Sequence, residues 1–202
     1  MNEFPKAKEY RQRADTKLTP NITNAVVIYL VFFAILSLAS GTAIGGLILA
    51  GPLTLGLVKF AKATSNGEKP EIDIMFKGVE HFVPALIVWI LKQLFIFLWS
   101  LLFFIPGVIK HYGYSLAMYL LEEDPSIEPM SALKKSEELM RGHKWRLFCL
   151  DFSYIGWIIL SMLTFGILFL WVKPKMDLAH YEFYRDIREL RHMEVIDIAD
   201  IK

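Results

Sequence analysis

Among the ionisable side chains within or at the border of long apolar stretches are Lys92, Lys110, Asp151, Lys173, Asp177 and His180. A charge in hydrocarbon is unfavourable by roughly 2.5–3.5 kcal/mol even on the mildest insertion scale, so each such residue is a candidate for a polar site. Lys173, Asp177, His180 and Tyr184 recur at helical spacing and share one face. That face reads as the wall of a polar cavity, or an internal ion pair, if the helix spans. It reads as a solvated face if the helix lies at the interface. Lys92 is too deep to snorkel and faces protein or a wet cavity, or pairs structurally with Asp151 or Asp177. Lys110 falls one turn into its helix, on the outer side, within reach of outer headgroups. Asp151 sits near the inner headgroup level.

Other chemistries find little support. The histidines are His81, His111, His143, His180 and His192, and no two stand at metal-ligand spacing. The sequence holds no nucleophile elbow, no phosphate-binding glycine loop and no paired catalytic carboxylates outside the apolar stretches. The expectation is a non-enzyme with no metal and no cofactor. Cys149 is the single cysteine and reads as a small apolar residue. A net charge of +1 gives no reason to expect nucleic acid.

The elements that must position these groups are membrane helices. Apolar residues make up 54 % of the 202 residues, above the roughly 45–50 % of soluble domains, and they are gathered in uncharged blocks. No charge occurs between Leu18 and Val58, enough chain for two spans of about 20 residues, with a glycine-rich turn from Ser40 to Gly46 between them. Six spans are expected, at residues 22–39, 44–60, 82–104, 108–121, 145–162 and 165–184. Pro106-Gly107 and Thr164–Gly166 supply the other turns. The last span is interrupted by Lys173-Pro174-Lys175, which a kinked spanning helix or a re-entrant segment would accommodate. The fold class is therefore all-α, a polytopic bundle of three hairpins (22–184) between an N-terminal arm (1–21) and a tail (185–202), with connectors at 61–81 and 122–144.

Charge placement gives the sidedness. Lys and Arg crowd the arm, both connectors and the tail, whereas the three turns carry none. The positive-inside rule puts both termini and both connectors in the cytoplasm. The apolar stretch from Ile22 is too long for a signal-peptide core, so an uncleaved first helix is expected.

An internal repeat is suggested by Phe76-Lys77-Gly78-Val79-Glu80-His81-Phe82 and Met140-Arg141-Gly142-His143-Lys144-Trp145. Each follows an acidic stretch containing proline. Met130 to Met140 has the spacing of an amphipathic helix on the cytoplasmic surface or the bundle base. Its Lys134 and Lys135 would meet anionic headgroups, worth about 1 kcal/mol each. Gly41 and Gly45, and Gly51 with Gly56, suit close helix packing. The tryptophans Trp89, Trp99, Trp145, Trp157 and Trp171 read as interface anchors or core.

These motifs resemble a bacterial membrane family called domain of unknown function 975. They are Gly51-Pro52-Leu53-Thr54-Leu55-Gly56, Phe97–Leu102 with Ile105-Pro106-Gly107, Tyr112-Gly113-Tyr114-Ser115, Glu122-Glu123-Asp124-Pro125, Met140–Phe148 and Phe152–Trp157. The resemblance implies a multi-pass protein of the bacterial plasma membrane and implies no activity. It departs at Lys173–Asp177, where the family's last helix is more apolar. Two roles fit. One is transport or export assistance for a small amphiphile, peptide or lipid through the deep charges. The other is an accessory protein holding a membrane partner through its cytoplasmic connectors. Membrane lipids are the expected surroundings of either.

Overall fold

A computed structural model describes residues 5–39, 41, 43–102, 104–164 and 166–200, with the side chains of 43, 44, 102, 104 and 192–200 left aside. Ser40 and Thr42 of the first expected turn, and Phe165 at the head of the last expected span, lie outside these residues. The described chain is helical, in the order α1 (Ala7–Leu18), α2 (Ile22–Ala39), α3 (Ala43–Ser65), α4 (Asp73–Phe76), α5 (Phe82–Leu102), α6 (Phe104–Gly113), α7 (Ala117–Glu123), α8 (Pro129–Leu139), α9 (Lys144–Phe152), α10 (Ile155–Leu163) and α11 (Phe169–Asp200).

Four stretches are long and apolar enough to cross a membrane: Ala7–Ala39, Gly45–Ser65, Asp73–Leu101 and Lys144–Leu163. Their surfaces fit that environment. On α5, the side chains of Val83, Ile87, Ile90, Leu94, Phe97, Leu98 and Leu101 are exposed at three- and four-residue intervals. A continuous apolar stripe on the outside of a helix suits an apolar surrounding such as hydrocarbon. The opposite face buries Ala85 and Val88.

Small residues set the close approaches. A Cβ on Gly56 would lie 2.1 Å from the Met75 carbonyl oxygen, and one on Gly78 2.2 Å from that of Pro52. The Gly51–Gly56 motif is thus the face of α3 against which the connector presses. Gly51 meets Ala85 of α5 in the same way, with a Cβ 2.8 Å from its oxygen.

Pro106-Gly107 does not form the turn expected of it. Both residues lie inside α6, and Gly107 packs on Ser100 of α5, where a Cβ would come 2.1 Å from the hydroxyl. Proline in the first turn of a helix removes an N–H that has no intrahelical partner, so the helix starts ahead of it. The expected fourth helix is also longer and divided, into α6 and α7. Ser136 of α8 closes the break: its hydroxyl donates to the Gly113 carbonyl at 2.7 Å and accepts from the Leu116 N–H at 3.1 Å. α8 is therefore packed into the bundle, with Ala132, Leu133 and Ser136 buried. A second break separates α9 from α10, and Arg11 of α1 donates to the Ser153 carbonyl there at 3.0 Å. Between α7 and α8, the Ser126 hydroxyl and N–H both bond Asp124 and hold its carboxyl below the usual carboxylate range.

Ion pairs and hydrogen bonds tie the basic arm and α3 to α11 and α7. Lys17 and Ser65 both donate to the buried Glu182, at 2.6 and 2.5 Å. Arg13 bonds Asp186 at 2.9 Å, and Lys62 bonds Glu122 at 2.9 Å. α11 begins shortly after Gly166, whose φ of 82° makes the reversal that a side chain would hinder.

Candidate functional site

α11 carries the chemistry. It is continuous through Pro174, so Lys173, Asp177, His180 and Tyr184 do share one face, and that face looks into the bundle. Lys173 donates to one oxygen of Asp177. The other oxygen, Oδ2, accepts the Tyr29 hydroxyl of α2 at 2.5 Å. His180 Nε2 lies 2.5 Å from Oδ1 of Asp151 on α9. Tyr184 stacks on Tyr119 of α7, with ring centroids 5.2 Å apart.

Three further groups join the cluster from α5 and α6. Lys92 is within electrostatic reach of Lys173, and His111 of Lys92, Asp151 and His180. Tyr112 is a polar neighbour of Asp151. Lys92, Asp151, Lys173, Asp177 and His180 thus occupy one neighbourhood. Lys92 does not take either expected carboxylate: Asp151 is held by His180 and Asp177 by Lys173 and Tyr29. Its charged neighbour is another lysine.

Lys110 stands apart from this cluster, with a partner inside the protein. Its ammonium bonds Glu137 of α8 at 2.6 Å and lies 5.1 Å from the Trp99 ring centroid. A carboxylate in a half-buried site is a stronger partner for the ammonium than a mobile headgroup. Lys144 approaches the same carboxylate at 4.0 Å.

The pair Lys173–Asp177 borders a cavity of about 320 Å³ between α2, α3, α7 and α11. Phe32, Phe33, Leu57, Val58 and Phe169 make its apolar wall, and Thr54 and Tyr119 add hydroxyls. A larger groove of about 700 Å³, opening outward, runs between α2, α10 and α11 past Ile158, Met162, Ile167 and Leu170. Phe33 and Phe169 line both spaces, and their rings pack at 5.9 Å. An apolar approach, an aromatic partition and a charged interior therefore lie in sequence. Among the described residues no cluster of His, Cys, Asp or Glu is arranged to hold a metal ion.

The sequence reading missed Tyr29, Tyr119, His111 and Tyr112. Tyr29 had a visible signal, a hydroxyl alone in Val26-Val27-Ile28-Tyr29-Leu30. The others stand on a helix whose break could not be placed, so their facing was open.

A family model described as "Protein of unknown function (DUF975)" matches residues 102–191. That stretch runs from the end of α5 into α11 and includes Lys110, Asp151, Lys173, Asp177 and His180. No curated protein and no solved structure matches the chain.

Proposed function

We propose that the chain, whose residues 102–191 match that family without an assigned activity, moves or shelters a small amphiphile, a lipid or a peptide, as a transporter or export-assisting protein. The observation that carries this reading is the shared wall. Phe33 and Phe169 separate an outward-opening apolar groove from a cavity holding an ion pair. An amphiphile needs both environments: hydrocarbon for its tail and a charge for its head. Lys173 and the nearby Lys92 together favour an anionic head. Such a head would exchange with Asp177 for Lys173, while Tyr29 keeps the displaced carboxylate hydrogen-bonded.

The architecture proposed for this role has six spans in three hairpins, with both termini and both connectors in the cytoplasm of a bacterial plasma membrane. Besides the four apolar stretches, α6–α7 and the first half of α11 would cross. Their lower apolarity comes from Lys110, Lys173, Asp177 and His180, all of which are paired inside the bundle. Paired inward-facing charges are the arrangement a spanning helix tolerates.

The test is flux in vesicles of phosphatidylcholine with a short-chain fluorescent phosphatidylglycerol in the inner leaflet. The protein should speed its movement between leaflets. Lys92→Leu and Lys173→Met should abolish that gain while helicity and monodispersity are kept. Equal flux in all three proteins would remove this cavity from the path.

The accessory reading rests on the connectors. α8 has already spent its apolar face on the bundle, leaving Lys134, Lys135 and Glu138 outward. A partner would have to meet that charged side, and crosslinking from Lys134 should then recover one protein.

A further inference from the structure

A second space lies at the cytoplasmic end of the proposed bundle, where α7, α8 and α11 converge. It measures about 520 Å³ and is bordered by Lys135, Arg141, Arg188, Arg191, Glu138 and the side chains of Leu120 and Leu139. Four cations thus face one carboxylate among the residues that line it. Arg188 also bonds Glu123. With Arg188 assigned to Glu123 and Arg191 set aside, Lys135 and Arg141 still outnumber Glu138.

Backbone geometry helps to place these cations. Gly142 has a φ of 84° with nothing near its missing Cβ, so the turn itself requires glycine and sets where Arg141 projects. Arg191 reaches back over this turn, its guanidinium near the carbonyls of Glu138 at 3.5 Å and Arg141 at 3.4 Å. Those carbonyls orient the guanidinium. Trp145, one turn beyond Arg141, is 71 % exposed, and an exposed tryptophan at a helix start marks headgroup depth.

We infer that this pocket binds a phosphate group, that of an anionic phospholipid of the inner leaflet. Arginines recognise phosphate oxygens in paired hydrogen bonds, and a basic pocket between helices at the cytoplasmic face suits an acidic headgroup. The apolar floor of Leu120 and Leu139 suits the glycerol carbons that follow such a phosphate. The site is separate from the cavity at Lys173 and stands whether or not that cavity conducts.

The experiment uses the full chain in a non-ionic detergent, titrated with dihexanoyl phosphatidylglycerol, dihexanoyl phosphatidylcholine and inorganic phosphate, with binding read by calorimetry. Phosphatidylglycerol should bind, and Lys135→Gln with Arg141→Gln should weaken it at least tenfold. Both residues are exposed, so the double variant should keep the helicity and elution of the parent. Lys134→Gln removes a neighbouring exposed charge outside the pocket and should leave binding within twofold. Saturable phosphate binding of equal strength, lost in the double variant, would keep the phosphate site and reassign its source to a soluble ester. Equal losses in Lys134→Gln and the double variant, or equal binding of phosphatidylcholine, would overturn the proposal.

Discussion

His180 Nε2 lies 2.5 Å from Oδ1 of Asp151, a bond that fastens α11 to α9 across the middle of the charged cluster. Both side chains are about three-quarters buried. Replacing His180 with Phe leaves the carboxylate facing the bundle with Tyr112 as its remaining polar neighbour, and losing the imidazole is unfavourable by about 1–3 kcal/mol. Near 200 residues, each kcal/mol is worth about 2–4 °C in thermal midpoint. The single variant His180→Phe should therefore melt several degrees lower in detergent. The double variant Asp151→Leu with His180→Phe should recover part of the loss, because no orphaned charge remains. A double variant that melts at the sum of the two single losses would show that the residues act independently.

The break between α6 and α7 depends on one hydroxyl. Ser136 is fully buried and serves both the Gly113 carbonyl and the Leu116 N–H. Ser136→Ala strands two backbone groups away from water, with a loss of about 1–3 kcal/mol. Ser131 lies on the same helix, and its hydroxyl meets only the Glu128 carboxylate at an exposed site. Ser131→Ala should stay within about 0.5 kcal/mol of the parent. Thermal melting of the two variants side by side separates a structural hydroxyl from an ordinary one.

Glycine positions give opposite expectations according to what surrounds them. At Gly56 and Gly78 the added methyl would meet backbone atoms of Met75, Pro52 and Gly56 itself, which cannot swing aside. Gly56→Ala and Gly78→Ala should each be destabilising by about 1–3 kcal/mol or more, and expression yield with melting will register it. Gly156 is helical, and a methyl added there would have nothing within 4 Å. Gly156→Ala should be neutral or stabilising by up to about 1 kcal/mol.

The helices were legible where apolar runs meet charges sharply. Ile22–Ala39 begins and ends as read from the sequence, and α5 starts at Phe82 as expected. The breaks were not legible, because a break is stabilised by partners distant in sequence, such as Ser136 for Leu116 and Arg11 for Ser153. The same limit applies to the site. The spacing of Lys173, Asp177 and His180 gave their common face, since that depends on one helix alone. Their partners Tyr29 and Asp151 come from α2 and α9, and only the packing of three helices selects them. The partner of Lys110 was out of reach for the same reason: Glu137 belongs to a connector that the sequence left on the surface or at the base.

Sidedness can be read from single cysteines, and side-chain exposure selects the positions. Gly107 is buried against Ser100 and would report poorly, whereas Ile105 in the same hairpin is 70 % exposed. Ile167 beside the Gly166 turn is likewise open, and Lys134 on α8 faces out on the connector. In a Cys149→Ala background, single cysteines at Ile105, Ile167 and Lys134 are treated with a membrane-impermeant maleimide on intact cells and on inverted vesicles. Six spans place Ile105 and Ile167 on the outer side and Lys134 on the inner side, because the basic segments stay with the cytoplasm. The decisive position is Ile167. Labelling from outside makes α11 a spanning helix, and its face of Lys173, Asp177 and His180 is then held within the bilayer. Labelling from inside makes α10 and the head of α11 a re-entrant pair, and the groove at Phe33 and Phe169 would open to the inner leaflet.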